Sequence, residues 1–230
     1  DLVASRISFG MDAKYAEAPW AVFLLFKFWH YFDDSACSGV LVAKLWVLTA
    51  AHCFKNDTTR RLVVRAGNTQ VTGRESREIA MVIVYEKYNY SNKTIHDIAL
   101  VKLSKPFTEI IDNRHYTINP ICLPNMNRVN AGQELATLFG FGLTDEFTES
   151  RTDWLQRGDL LLQPFYECDY SGYGGFLCSL YATSNRSIPC SGDSGAGLVQ
   201  YTDKYRTRAI LIGIVSSGNS AFSEKGPCNS

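Results

Sequence analysis

The feature that most restricts the fold of this chain is a rhythm of short apolar or alternating runs set between turn residues. They fall at 20–28, 38–42, 46–49, 62–66, 79–85, 98–103, 134–139, 160–162, 198–201 and 209–215. Runs of this length, rich in β-branched and aromatic residues and bounded by turn formers, predict antiparallel strands. No window carries a helical apolar stripe, apart from a single turn after Thr49. The chain therefore reads as all-β, a sandwich or a barrel. Its 230 residues hold one large β-domain or two small ones. No repeat, low-complexity tract or Pro/Ser-rich linker divides it.

Charge narrows the class. Lys and Arg together number 23, as do Asp and Glu, for a net charge of zero. A balanced surface argues against a nucleic-acid footprint. The longest apolar run, 18–26, is too short to span a bilayer. Residues 1–6 lack the charged start and apolar core of a secretory leader. Seven cysteines, with no C-x-x-C pair and no zinc-type His/Cys spacing, imply an oxidising compartment, three disulfides and one thiol left over. Four N-x-[ST] triplets, at Asn56, Asn89, Asn92 and Asn185, fit a secreted glycoprotein.

The chemistry gathers in the stretch Ile188-Pro189-Cys190-Ser191-Gly192-Asp193-Ser194-Gly195-Ala196-Gly197-Leu198. Glycines around one serine favour a tight turn that presents a hydroxyl and leaves backbone N–H groups pointing at it. Acyl transfer needs a nucleophile with such donors alongside. A Gly-rich turn by itself is more often only a turn. Two further segments decide the matter. One runs from Cys37 through Ala50-Ala51-His52-Cys53, two strands ending in a small-residue turn with a histidine. The other is His96-Asp97-Ile98-Ala99-Leu100, an acid at the head of an apolar strand. Alone, that histidine reads as a satisfied core or surface residue, and that aspartate as a cap.

Together, in the order His52, Asp97, Ser194, the three segments resemble the histidine, aspartate and serine motifs of chymotrypsin-like serine proteases. That order differs from those of subtilisin and the α/β-hydrolases. The resemblance covers nearly the whole chain. The stretch from Ile7 to Trp20 looks like the family's mature N-terminus. Gly140-Phe141-Gly142 resembles its G-W-G segment, and Val215-Ser216-Ser217-Gly218 its substrate-binding strand. The resemblance implies two antiparallel six-stranded β-barrels with a boundary near 110–125. Residues 1–6 would be a residual pro-segment and 7–230 the peptidase domain. The family's last strand and C-terminal helix are expected to be missing.

By the same resemblance, Ser194 is the nucleophile, His52 the general base and Asp97 the group that orients the imidazole. The N–H groups of Gly192 and Ser194 form the oxyanion hole. Ser216 and Gly218 pair with the substrate backbone, Ser216 also helping to hold Asp97, while Ser217 borders the substrate and Ile188 is the floor of the primary pocket. Disulfides pair Cys37 with Cys53, Cys168 with Cys178 and Cys190 with Cys228, each contributing about 2–4 kcal/mol. A further family bridge is absent, its two positions being Ala136 and Gln200. Cys122 is the odd cysteine, and the family's pattern would join it to a disulfide-linked N-terminal pro-segment. The other reading of Cys122 is a buried free thiol. No metal or organic cofactor is implied, and the family's optional calcium loop, near 68–78, is short in carboxylates.

Activation and specificity follow as expectations. A trypsin-like protease would cut after Arg6, and the freed Ile7 amine would pair with Asp193, a buried acid needing a partner. The uncut chain is thus expected to be a zymogen with a malformed oxyanion hole. An isoleucine at the pocket floor would leave a substrate Arg or Lys unpaired, so apolar or small residues are preferred. Ser217 replaces a family tryptophan, and the nucleophile loop continues Gly195-Ala196-Gly197 where relatives have Gly-Gly-Pro. These departures keep open the alternative of a weak or inactive homologue acting as a secreted binding or adaptor protein.

Overall fold

The computed structural model of the chain describes residues 7, 10–28, 35–54, 60–67, 69–91, 95–108, 111–112, 115–125, 135–145, 150–151, 153–163, 177–181 and 189–216. A two-residue strand β1 (Met11–Asp12) precedes six longer ones: β2 (Ala21–Phe28), β3 (Ser35–Ala43), β4 (Trp46–Thr49), β5 (Arg60–Ala66), β6 (Glu75–Val84) and β7 (Ala99–Leu103). A short ribbon, β8 (Ile111–Asp112) with β9 (His115–Tyr116), leads into the second half. That half holds β10 (Leu135–Gly140), β11 (Leu143–Asp145), β12 (Ser150–Arg151), β13 (Gln156–Leu162), β14 (Ser179–Tyr181), β15 (Gly197–Tyr201) and β16 (Ala209–Ile214). Among the described residues the one helical element is a 3-10 turn at Ala51–Cys53, where a turn after Thr49 is expected. Among the described residues no helix is long and apolar enough to cross a membrane.

The protein is all-β, as the apolar rhythm requires. Strands β2, β3, β4, β7, β6 and β5 pair in that order and close into a six-stranded antiparallel barrel. Alternation decides which side chains go inside: on β7, Ala99, Val101 and Leu103 are buried while Leu100 and Lys102 are half-exposed. Val22, Leu24, Val40, Val47, Val64 and Val101 are fully enclosed in this core. The interior is tight enough that β3 needs Gly39. A Cβ there would lie 2.7 Å from Leu24 Cδ1 and 2.9 Å from Val47 Cγ1.

The second half forms a six-stranded antiparallel sheet in the order β1-β13-β10-β15-β16, with β14 also on β13. It fits the second barrel expected of the fold. Its core cluster is Ile7, Ala136, Leu138, Leu160, Leu162, Ala196 and Leu198. The two halves dock through aromatic edges, Trp20 against Phe139 and Phe23 against Phe141, with ring centroids 6.0 and 5.6 Å apart. Such edge-to-face pairs contribute roughly 0.5–1.5 kcal/mol each beyond area burial.

Leu24 has no exposed surface and faces the glycine of the neighbouring strand. Leu24→Ala should cost about 2–5 kcal/mol of stability. A lower urea midpoint at unchanged slope is the expected reading, and a cost under 1 kcal/mol would contradict this packing.

Candidate active site

Four side chains from four strand ends meet where the halves touch. His52 lies in the 3-10 turn after β4, Asp97 just before β7, Ser194 just before β15 and Ser216 just after β16. The Asp97 carboxylate is buried and accepts three hydrogen bonds. Its Oδ1 takes the backbone N–H of His52 at 2.7 Å. Its Oδ2 lies 2.6 Å from His52 Nδ1 and takes the Ser216 hydroxyl at 2.6 Å. The far nitrogen of the ring, Nε2, lies 2.8 Å from Ser194 Oγ. With Nδ1 carrying its proton toward the carboxylate, Nε2 is left as an acceptor for the serine proton. The imidazole keeps about a quarter of its side-chain surface open, so its Ser194 edge can reach a substrate.

The Cys37–Cys53 disulfide fastens the end of this turn to β3, one residue from His52. His96, immediately before Asp97, adopts a left-handed backbone with φ of 60°. Its ring stacks edge-on against Tyr85, 5.5 Å away. Tyr88 is buried against Ala51 and Ala99. Burial, and after it the Asp97 carboxylate and Tyr90, push its phenol up to about 12.

The nucleophile loop is anchored through alternate peptides. The N–H of Asp193 donates to Cys190 O at 2.9 Å, that of Gly195 to Val215 O at 2.8 Å and that of Ala196 to Asp193 O at 2.7 Å. Among the described residues, the N–H groups of Gly192 and Ser194 have no hydrogen-bond acceptor. Gly192 and Gly195 have φ of 94° and 80°, conformations that side chains rarely adopt. A Cβ on Gly195 would strike Thr49 Oγ1 at 2.1 Å. The carbonyls of Gly192, Asp193 and Ser194 all accept hydrogen bonds, from the Ser38 hydroxyl, Ala196 N and Ser38 N respectively.

Asp193 is completely buried. Its Oδ1 takes the Gly142 N–H at 2.8 Å and its Oδ2 the Cys190 N–H at 2.9 Å. Burial raises its pKa from the ordinary 3.8 to about 6 against those two hydrogen bonds, and among the described residues no cation offsets it. The carboxylate fills space that the backbone of Gly142 leaves open, where a Cβ would sit 2.4 Å from Asp193 Cγ. Ile7, the other half of the expected activation pair, is fully buried in the second core with Ala196 and Leu198. Its φ of 38° is an outlier for a β-branched residue.

Several sequence-based sites lie outside the described residues: Arg6, Ile188, Ser217, Gly218, Asn56, Asn92, Asn185, Cys168 and Cys228. Cys178 and Cys190 are each disulfide-bonded. Asn89 is exposed, its side-chain oxygen accepting from Ser91 N at 2.9 Å. Cys122 is a free thiol and is exposed rather than buried. Sequence reasoning missed Ser38 and Tyr88, both packed into the site. A serine after a cysteine and a tyrosine in a polar loop carry no pattern that marks them.

A sequence profile described as Trypsin matches residues 7–227. Coagulation factor IX of Oryctolagus cuniculus is 29% identical over 224 residues, which span 93% of this chain and 76% of that protein. The serine protease grass of Drosophila melanogaster is 28% identical over 246 residues, 95% of this chain and 62% of that one. Vitamin K-dependent protein C of Rattus norvegicus is 33% identical over 233 residues, 93% of this chain and 46% of that protein. The chain therefore spans less than two thirds of the last two relatives.

The buried carboxylate gives a pH test. A raised carboxylate pKa means that the folded state holds its proton longer than the unfolded chain. The Asp193 contribution is therefore present below about pH 4 and lost as pH rises through about 6. Thermal unfolding of the uncut chain should show this decline between pH 4 and pH 7, and Asp193→Asn should lack that component. Parallel curves for the two proteins would refute the assignment.

Proposed function

This chain belongs to the trypsin family of chymotrypsin-like serine proteases, and from that premise we propose that it is a secreted serine endopeptidase activated by cleavage after Arg6. The observation that carries the reading is the continuous relay Ser216–Asp97–His52–Ser194, with links of 2.6, 2.6 and 2.8 Å. In this mechanism Ser194 Oγ attacks the peptide carbonyl while His52 Nε2 takes its proton. The carbonyl oxygen becomes an oxyanion, received by the N–H groups of Gly192 and Ser194. His52 then protonates the leaving amine, and water repeats the sequence to release the acid and restore Ser194. Asp97 keeps the ring in one tautomer and stabilises the imidazolium.

Activation follows from two features of the uncut chain. Asp193 is buried without a described cation, and Ile7 is held in a strained left-handed backbone. Cutting the Arg6–Ile7 bond removes the upstream peptide that defines φ of Ile7, and so relieves the strain. It also creates an ammonium that can compensate Asp193. These two features support the zymogen reading. The activator would be a trypsin-like protease, and a disulfide from Cys122 would retain the cleaved pro-segment.

The remaining assignments complete the proposal. Residues 7–230 form the peptidase domain, with a boundary near 110–125 between its halves. Ile188 floors an apolar primary pocket, Ser216 and Gly218 pair with the substrate backbone, and Ser217 borders the substrate in place of an aromatic wall. The disulfides are Cys37–Cys53, Cys168–Cys178 and Cys190–Cys228, and glycans sit on Asn56, Asn89, Asn92 and Asn185. Disulfide bonds at Cys37, Cys53, Cys178 and Cys190 support an oxidising, extracellular setting.

Fluorophosphonate labelling should appear at Ser194 after cleavage at Arg6 and disappear in Ser194→Ala, while Asp97→Asn should lower kcat by about 10⁴-fold. Absence of labelling in correctly cleaved protein would favour the inactive binding homologue instead. Fluorogenic peptides with Arg, Phe, Leu or Ala before the cleaved bond should show the apolar residues fastest. Fastest cleavage after Arg would remove the case for Ile188 as pocket floor.

A further inference from the structure

We propose that Ser38, on β3 of the closed barrel, is a positioning residue for the oxyanion-binding loop carried by the opposite sheet. The proposal rests on the protease reading above. Ser38 is 1% exposed, yet its polar atoms reach across the junction between the halves. Its hydroxyl donates to Gly192 O at 2.9 Å and accepts the Phe141 N–H at 3.0 Å. Its backbone N–H donates to Ser194 O at 2.9 Å. Its carbonyl accepts the Thr49 hydroxyl at 2.8 Å, which fixes β3 against the end of β4.

These bonds hold the two peptide planes that flank the Ser194 N–H. The Gly192–Asp193 plane has its carbonyl on the Ser38 hydroxyl and its N–H on Cys190 O. The Ser194–Gly195 plane has its carbonyl on the Ser38 N–H and its N–H on Val215 O. Between them, the Asp193–Ser194 plane is tied by Asp193 O, which accepts from Ala196 N, and the Ser194 N–H has no acceptor among the described residues. Gly192 itself, at φ of 94°, has no side chain to restrict rotation of its peptides. The Ser38 hydroxyl supplies that restraint from a different sheet. The Phe141 N–H orients it in turn, because a hydroxyl that accepts from Phe141 directs its own proton to Gly192 O.

The role is indirect, since Ser38 touches no reacting atom. Its removal should weaken stabilisation of the oxyanion more than binding of the substrate. In the full chain cleaved after Arg6, Ser38→Ala should lower kcat per titrated active site by about 10–100-fold, less than the roughly 10²–10³-fold loss of a direct donor. KM should stay within about twofold. The Ki of a peptide aldehyde, whose adduct with Ser194 places an oxygen in the same hole, should rise by the factor that kcat falls. An unchanged kcat per titrated site, a loss carried by KM, or an unchanged aldehyde Ki would each overturn the proposal. If Ser38→Ala does not fold, Ser38→Cys, a weaker donor, is judged by the same three criteria. Wild-type protein that fails to label with fluorophosphonate after cleavage removes the protease reading and this proposal with it. Labelled, active wild type beside an unaffected variant removes this proposal alone.

Discussion

The site depends on one buried carboxylate. Asp97 accepts a backbone N–H, an imidazole and a hydroxyl within 2.7 Å, and those donors come from the turn after β4 and the end of β16. A carboxylate so enclosed is costly unless its lone pairs are filled, and charge-assisted bonds of this kind are the strong ones. The cost of leaving it unfilled thus draws the β4 end of one half and the β16 end of the other to the same point. Catalytic geometry and docking of the halves share this cause. The Tyr88 phenol beside it stays protonated, raised to about 12 by its burial and by the carboxylate.

Asp193 is the counterpart on the nucleophile side, and its arrangement is less complete. Two amides bind its oxygens, but burial still dominates and moves its pKa up to about 6. The chain accommodates it sterically by placing glycines opposite: a Cβ on Gly140 would lie 2.1 Å from Asp193 Oδ1, and one on Gly142 would overlap the whole carboxylate. Space is provided for the charge, but among the described residues no cation compensates it. That imbalance is what the proposed activation step would relieve, by bringing an ammonium to Asp193.

Much of the fold was legible because burial leaves a period-two mark. The runs at 20–28, 46–49 and 209–215 correspond closely to β2, β4 and β16. The pattern failed where polar residues alternate with buried ones. Strand β13 begins at Gln156, four residues before the apolar run, because Gln156 is buried by bonding through its amide to Asp12 and Trp154. Arg157 and Asp159 occupy its half-exposed face as an ion pair of 2.7 Å. Two-residue strands such as β1 and β8 have no period to read. At the site, His52, Asp97 and Ser194 were legible through their surrounding strings, since glycine and alanine are demanded by close backbone approach. Ser38 was not, because its significance lies in what faces it across the junction, and a contact of sequence separation 154 leaves no local trace.

The distribution of these groups has a consequence for how stability and chemistry are linked. His52 and Asp97 belong to the closed barrel, while Ser194, its neighbouring amides and Asp193 belong to the other sheet. Neither half holds a complete relay. The junction is made of Trp20–Phe139, Phe23–Phe141, the Ser38 bonds and the Asp97–Ser216 bond. Ser38 and Phe141 both lie at that interface, Phe141 packing against Phe23 and donating its N–H to the Ser38 hydroxyl, and Ser38 bonding to Gly192 and Ser194. A hydrogen bond at this junction acts over angstroms in catalysis, whereas a core contact such as Leu24 acts on the folding equilibrium as a whole. The two classes of residue should therefore separate experimentally, one altering turnover in folded protein and the other altering how much protein is folded.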